Sequence, residues 1–469
     1  DYFKYNKIKI ILGYKLQTKT KQRVKDFGEV FTNKREIINM LSLIDNSSKN
    51  FSKLKDTIIL EPTCGNGNFI IEIAKRKLDF YSSEEDQKEA LSTIYGTDIQ
   101  EDNILETRIR LRELVDFDIE DILHSNFFVS NFLEYDFSKK LNKIDIVIGN
   151  PPYQTDDNGH GASSSPIYNL FIDKIRNELK PTYFSFIIPS RWMTGGKGLA
   201  KFRHTMLNDT KFEVLVDFKN DKDCFPTVSI EGGVCYFLWN INYEGLCSYI
   251  EMDDDQIISK KNRNLKEYDI FIRDNKSISI LKKVISKTED FLYHSIKRPG
   301  YGFNTNFYDY KDLEDKKFNI RLYGNKLNMK KTNGIGYVSK EQISGNLNTI
   351  NKYKVLIPKA RGGIAKDKQI VTKPTLTNKL SVCSQTYVVI GAFDQEEEAK
   401  KLDTYIHTKF FRYLVSLRKL TQDLSINTYK FIPSLNSFDF EISDSNLYSY
   451  FNLNEKEIDI IENRIKIIK

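Results

Sequence analysis

Through the first half of the chain, short apolar runs alternate with stretches whose apolar residues recur at helical spacing. KREIINMLSLID (34–45) predicts a helix. TIILEP (57–62) predicts a buried strand, and NFIIEIAKRKL (68–78) the helix after it. STIYGTDI (92–99) predicts a second strand and NILETRIRLRELV (103–115) a second helix. KIDIVIGNPP (143–152), YFSFIIPS (183–190) and FEVLVDF (212–218) predict further strands, and VCYFLW (234–239) is expected to close the block as an edge strand. Strands alternating with helices imply an α/β, doubly wound sheet.

The pattern changes near residue 250. EMDDDQ (251–256) is acidic and polar, and NKSISILKKVIS (275–286) predicts a helix leading into a second domain. Glycine clusters at 300–302, 334–336 and 361–363 punctuate a less regular region, which is expected to be a second α/β domain ending in a helix over 454–468. The expected organisation is a basic arm over 1–26, a doubly wound domain over 27–250, a linker helix region over 251–289 and the second domain over 290–469.

Composition excludes several classes. Hydrophobic residues are 40% and charged residues 29%, the balance of a globular protein. No uncharged apolar run approaches the roughly 18 residues of a membrane span, and no secretory signal is read. The five cysteines are scattered without a C-x-x-C pair and the five histidines are far apart, so no metal site is expected. A reducing, cytoplasmic setting follows. Net charge is only +7, but its distribution is uneven. Residues 1–25 are strongly basic, and 352–379 carries Lys354, Lys359 and Arg361 among eight basic residues against Asp367 alone. Each run can be a solvated face; two of them make a polyanion a reasonable partner. No Walker-type G-x-x-x-x-G-K-[ST] occurs, and Asp217-Phe218-Lys219 falls where the sheet needs a strand rather than a nuclease site.

Two motifs carry chemistry. Glu61-Pro62-Thr63-Cys64-Gly65-Asn66-Gly67 stands where a strand gives way to a helix, the position at which glycines let backbone approach a ligand. A purely structural turn would use the same glycines. Glu61 at the strand end suits an amine-bearing or cationic ligand. Asp98, with Ile99 after it, ends the next strand, where an acid can accept from ribose hydroxyls. Asn150-Pro151-Pro152-Tyr153 is more specific. It follows the buried run 144–148, and two prolines there end the strand and stiffen the loop at the edge where such sheets bind ligands.

Together these residues resemble the N6-adenine DNA methyltransferases that use S-adenosylmethionine. Phe27-Gly28-Glu29-Val30-Phe31-Thr32 is similar to the family's first cofactor motif, and Ser130-Asn131-Phe132-Leu133 to the segment that lines the cofactor's adenine. The family often has Asp where Asn131 stands. Ile187–Trp192 and Cys224-Phe225-Pro226 match later motifs. The order of motifs leaves no room for a target-recognition domain between Gly67 and Asn150, which implies the gamma arrangement with that domain over 290–469. KARGG (359–363), SQTYVVI (384–390) and TQDLSINTYKFIP (421–433) resemble Eco57I-like restriction–modification methylases.

The resemblance implies S-adenosylmethionine as cofactor, bound by Phe31, Thr32, Glu61, Pro62, Cys64, Gly65, Gly67, Asp98, Ile99, Asn131, Phe132 and Asn150. It implies double-stranded DNA as partner, Asn150 to Tyr153 as the catalytic loop, and a flipped adenine stacked on Tyr153. Phe225 is either its second face or an ordinary core residue, and Lys354, Lys359 and Arg361 are candidate DNA contacts. Other readings stay open: an N-P-P-Y enzyme acting on cytosine N4, RNA or protein glutamine, a specificity subunit with an inactive methylase fold, or the methylase part of a bifunctional enzyme. Because the chain starts at Asp1 rather than Met, a nuclease upstream or in a partner subunit remains possible.

Overall fold

The computed structural model describes residues 18–20, 22–23, 28–48, 50–154, 165–196, 198–296, 300–359, 370–419 and 424–466. Most of the basic arm, Phe27 and Arg361 lie outside them. The chain divides into two compact units, Asp1–Arg273 and Asp274–Lys469.

Among the described residues, the first unit is built on nine strands: β1 (Ile59–Glu61), β2 (Ile94–Asp98), β3 (Phe127–Val129), β4 (Ile146–Gly149), β5 (Tyr183–Pro189), β6 (Phe212–Phe218), β7 (Val234–Asn240), β8 (Cys247–Asp253) and β9 (Gln256–Arg263). Their order is β3-β2-β1-β4-β5-β7-β6-β8-β9. The first five are parallel, and β7 runs antiparallel between β5 and β6. The sheet is doubly wound because alternate residues of its apolar runs bury on opposite faces. Ile59, Ile146, Ile148 and Ile187 pack with the helices at 34–48 and 68–80. Leu60, Val147, Phe186 and Ile188 pack with those at 168–174 and 200–207.

Two expectations need correction. VCYFLW is not an edge strand: β7 lies between two neighbours, and its residues Val234–Trp239 are buried throughout. An uninterrupted apolar run is the signature of a strand covered on both faces. The sheet also continues past residue 250, since EMDDDQ is a hairpin with Asp254 in the left-handed turn (φ 51°) between β8 and β9. Its acids sit at the turn, and Lys260 and Lys261 keep the exposed β9 edge charged, which discourages further pairing.

The Asp217-Phe218-Lys219 stretch is structural. Asp217 is fully buried and takes bonds from Arg273 Nε (2.8 Å) and Nη2 (2.7 Å), Tyr249 Oη (2.8 Å) and Ser190 Oγ (2.7 Å). Lys219 pairs with Glu251.

Among its described residues the second unit holds two three-stranded sheets. One has the order β11 (Ile335–Val338), β10 (Ile320–Tyr323), β14 (Ser381–Cys383); the other has β13 (Thr375–Thr377), β12 (Tyr353–Pro358), β15 (Tyr387–Phe393). Helices at 277–287, 396–407, 409–418, 444–450 and 455–464 accompany them, the last opened by an Asn454–Glu457 capping box.

Candidate functional site

Strand order reverses between β1 and β4, so the connections leaving these neighbours diverge and open a crevice at their carboxyl ends. A cleft of about 230 Å³ lies there. It brings together Phe31, Pro62, Thr63, Gly65, Asp98, Ile99, Asn131, Phe132, Asn150 and Pro152, from segments far apart in sequence.

The turn after β1 needs its glycines. Gly65 and Gly67 have φ of +52° and +83°. A Cβ on Gly65 would stand 2.9 Å from the Phe31 ring, and one on Gly67 2.7 Å from Thr107 Oγ1. The Gly65 amide donates to Asp98 Oδ2 (2.9 Å), while Asp98 Oδ1 accepts from the Gln100 amide (2.8 Å) and Asn103 Nδ2 (3.2 Å). Three donors therefore fix the Asp98 carboxylate at the lip of the cleft.

Glu61 lies beneath, 2% exposed, with Oε2 buried and unpartnered. Burial, and next the Asp98 charge, push its carboxyl well above the ordinary range. Burial also raises Asp98. Neither acid makes an ion pair among the described residues, and the Arg110 and Arg23 charges only partly offset the burial that raises Glu61 and Asp98. Cys64 and Thr32 are buried behind this wall. The Cys64 thiol is pushed up by burial, which leaves it inert. The Thr32 carbonyl accepts from Asn68 Nδ2 (3.1 Å).

The opposite wall is apolar. Phe132 stacks on Phe171 with centroids 5.4 Å apart and planes within 8°, and Ile99 is 52% exposed. The Asn131 amide is occupied within its own turn, donating to Glu134 (2.8 Å) and accepting from the Leu133 amide (3.1 Å). Lys174 ties this segment down by donating to the carbonyls of Leu133 (3.1 Å) and Tyr135 (2.9 Å).

In the catalytic-loop candidate, Asn150 Nδ2 donates to the Val30 carbonyl (2.8 Å), and Thr63 Oγ1 donates to the Asn150 carbonyl (3.1 Å). These two bonds tie the three motifs together. Asn150 Oδ1 is buried and unpartnered. Pro151 is buried, and Tyr153 meets Tyr168 edge-on at 6.4 Å, its own hydroxyl buried without a partner. Burial pushes the Tyr153 hydroxyl well above its ordinary value, so it stays protonated.

Other candidates fall elsewhere. Phe225 is fully buried in the core cluster with Ile37, Met40 and Val234, where its ring serves packing. Lys354 is not a DNA contact. It is 0% exposed, and its ammonium donates to the carbonyls of Ile350 (3.2 Å) and Lys352 (2.7 Å) and to Ser381 Oγ (3.0 Å). Burial lowers its pKa to about 8. Lys359, at the end of β12, is half-buried. Arg361 lies outside the described residues.

Sequence reading missed Gln100, Asn103, Ile167 and Phe171, all of which line the cleft. Ile167 and Phe171 carry a signal, an i, i+4 apolar pair at the start of the helix after the N-P-P-Y loop. Asn103 carries none, since its role depends on its helix packing beside β2. Among the described residues no group of His, Cys, Asp and Glu could hold a metal ion, and no helix is long and apolar enough to cross a membrane.

Residues 66–225 match the family model described as Eco57I restriction-modification methylase. Over 125 residues the chain is 34% identical to an uncharacterized adenine-specific methylase of Mycoplasma pneumoniae (strain ATCC 29342 / M129 / Subtype 1), covering 26% of this chain and 28% of that one. Among solved structures, the DrdV–DNA complex aligns with TM-score 0.52 and 11% identity over 87% of this chain and 56% of that chain. A nuclease-deletion mutant of the Type ISP restriction-modification enzyme LlaGI, in complex with a DNA substrate mimic, aligns with TM-score 0.50 and 13% identity over 84% and 45%. The chain thus spans less than two thirds of each of these proteins. The fold is shared with these solved structures, and the resemblance to Eco57I-like methylases is borne out over residues 66–225.

Proposed function

We propose, with the Eco57I restriction–modification methylase character of residues 66–225 as premise, that this chain transfers a methyl group from S-adenosylmethionine to the N6 amine of adenine in double-stranded DNA. The observation that carries the reading is Asn150, an amide anchored through Nδ2 to Val30 whose Oδ1 is buried and unpartnered at the mouth of an acidic cleft.

The residues present fit S-adenosylmethionine. The unpartnered Glu61 oxygen suits the α-ammonium, Asp98 suits the ribose hydroxyls, and the Ile99–Phe132 wall suits the adenine ring. Two buried acids lacking an ion-pair partner favour a cationic ligand. When bound, the cofactor supplies an activated methyl on a sulfonium.

The exocyclic amine of adenine is a weak nucleophile because its lone pair is delocalised into the ring. Asn150 Oδ1 and the Pro151 carbonyl accept its two N–H bonds and draw the nitrogen toward a tetrahedral shape, which frees that lone pair. The stiff Pro151–Pro152 turn keeps both acceptors aimed during the displacement. The amine becomes acidic only after transfer, so no strong base is needed. To reach these acceptors the base leaves the helix, and Tyr153 offers a ring for it to stack on. The second unit, from Asp274, selects the target sequence, and the chain works within a restriction–modification system beside a nuclease activity.

The test is incubation with labelled S-adenosylmethionine and duplex DNA, followed by nucleoside analysis. N6-methyladenine is expected. Label in N4-methylcytosine, or only in RNA or protein, would overturn the reading.

A further inference from the structure

Glu29 stands in the segment 27–32 that resembles the first cofactor motif but has been given no contact of its own, and it lines the cleft beside Asp98. Its side chain is 8% exposed. Oε2 is fully engaged, accepting from Asn103 Nδ2 (3.0 Å) and pairing with Arg23 Nη2 (3.1 Å). Oε1 is buried and has no partner. A buried carboxylate oxygen left open costs desolvation free energy unless something binds there, and native structures keep few such atoms.

The surroundings hold this carboxylate in place. Arg23 also binds Asp102 with two bonds, Nη1 to Oδ2 (2.6 Å) and Nη2 to Oδ1 (2.9 Å). Lys19 reaches Asp102 (3.0 Å), Glu106 (2.9 Å) and Asn103 Oδ1 (2.7 Å). The Asn103 amide is therefore locked. Its oxygen faces Lys19, and its NH2 is shared between Glu29 and Asp98. Lys19 and Arg23, part of the basic run over 1–25 for which a polyanion is a reasonable partner, pair with these acids. Burial pushes the Glu29 carboxyl up, against which the Asn103 bond and the Arg23 and Lys19 charges pull.

We propose that Glu29 is a second ribose-binding carboxylate, accepting a hydroxyl through Oε1 next to Asp98, and that Arg23 is the positioning residue that aims it. The proposal rests on S-adenosylmethionine being the cofactor. Two acceptors linked by one shared amide offer a ribose two oxygens at fixed separation, while a single Asp98 leaves the sugar free to turn about one contact. Arg23 needs no contact with the ligand, since it acts on the orientation of Glu29.

Calorimetry of S-adenosylhomocysteine binding to wild type, Glu29→Gln, Glu29→Ala, Arg23→Ala and Arg23→Lys tests this, with thermal melts of each ligand-free protein. Glu29→Ala should weaken binding roughly tenfold, the scale of a bond to a charged acceptor. Glu29→Gln, which keeps an acceptor, should fall between. Arg23→Ala should raise KM for the cofactor with little change in kcat, and Arg23→Lys should recover most of the loss. Affinity of Glu29→Ala within twofold of wild type, with wild type binding normally, overturns this proposal alone. Equal loss in Arg23→Lys and Arg23→Ala overturns the positioning role. Failure of the wild-type chain to bind the ligand overturns the cofactor reading and this proposal with it.

Discussion

Asn150 is held by one half of its amide and left open by the other, which separates its structural from its chemical share. Asn150→Ala removes the proposed acceptor for the target amine. The kcat should fall by about 10²-fold or more, the scale for losing one oriented group at a reacting centre. S-adenosylhomocysteine affinity should stay within about threefold. Radiolabel transfer and calorimetry read the two separately, and a rate within tenfold of wild type would sink the assignment. Glu61 shows the opposite balance. Its folded-state pKa lies above its unfolded value, so the folded chain keeps a proton that the unfolded chain releases. Stability is then greatest below the unfolded value of about 4.3 and declines as pH rises toward the folded one. Glu61→Gln is neutral at every pH. The ligand-free variant should melt above wild type at pH 7.5, with the gap closing toward pH 5, while cofactor affinity drops roughly tenfold. A gap of constant size across that range would mean packing, not ionisation, is responsible.

At the scale of elements, legibility followed burial. β1, β4 and β5 were readable because strands covered on both faces leave continuous apolar runs, and the two motifs stand at their ends. The same rule exposes the error with VCYFLW: its unbroken run already argued for an interior strand. The β9 strand was invisible because its residues are exposed almost to the end and so carry no pattern. Lys354 failed for a different reason. A charge count treats every lysine as solvated, but this one stands where β12 is buried on both faces, opposite Thr377 and Ala392. That burial has a measurable consequence. The folded pKa of about 8 is below the unfolded value of 10.5, so between them the unfolded chain binds more protons and stability rises with pH. The slope can reach about 1.4 kcal/mol per pH unit. Lys354→Met removes this slope. Urea denaturation at pH 7.5 and 9.5 should show wild type gaining stability relative to the variant, and parallel behaviour of the two would contradict a buried titrating ammonium.

On the scale of the whole molecule, the chemistry and the choice of site call for different experiments. The proposed acceptors for the amine, the buried acids and the apolar wall all belong to the first unit. The proposed function gives selection to the second unit, where the burial of Lys354 leaves Lys359 and Arg361 as the contacts to test. Phosphate contacts set affinity without sequence information, whereas base-edge contacts change which sequence is preferred. If Lys359 meets a phosphate, Lys359→Ala should weaken cognate and scrambled duplexes alike and reduce the slope of log K against log salt by about one unit. If Arg361 reads a guanine edge, Arg361→Ala should cost about 1–3 kcal/mol on the cognate duplex only. Sequencing modified bases in DNA from cells expressing each variant gives the same answer without purified protein. Wild type should mark adenine in a single sequence context, Lys359→Ala the same context less completely, and Arg361→Ala a relaxed one. Unchanged marking and unchanged salt dependence in both variants would move the DNA-reading surface away from residues 359 and 361, with Asn150→Ala as the unmethylated control that keeps the outcome tied to this chain.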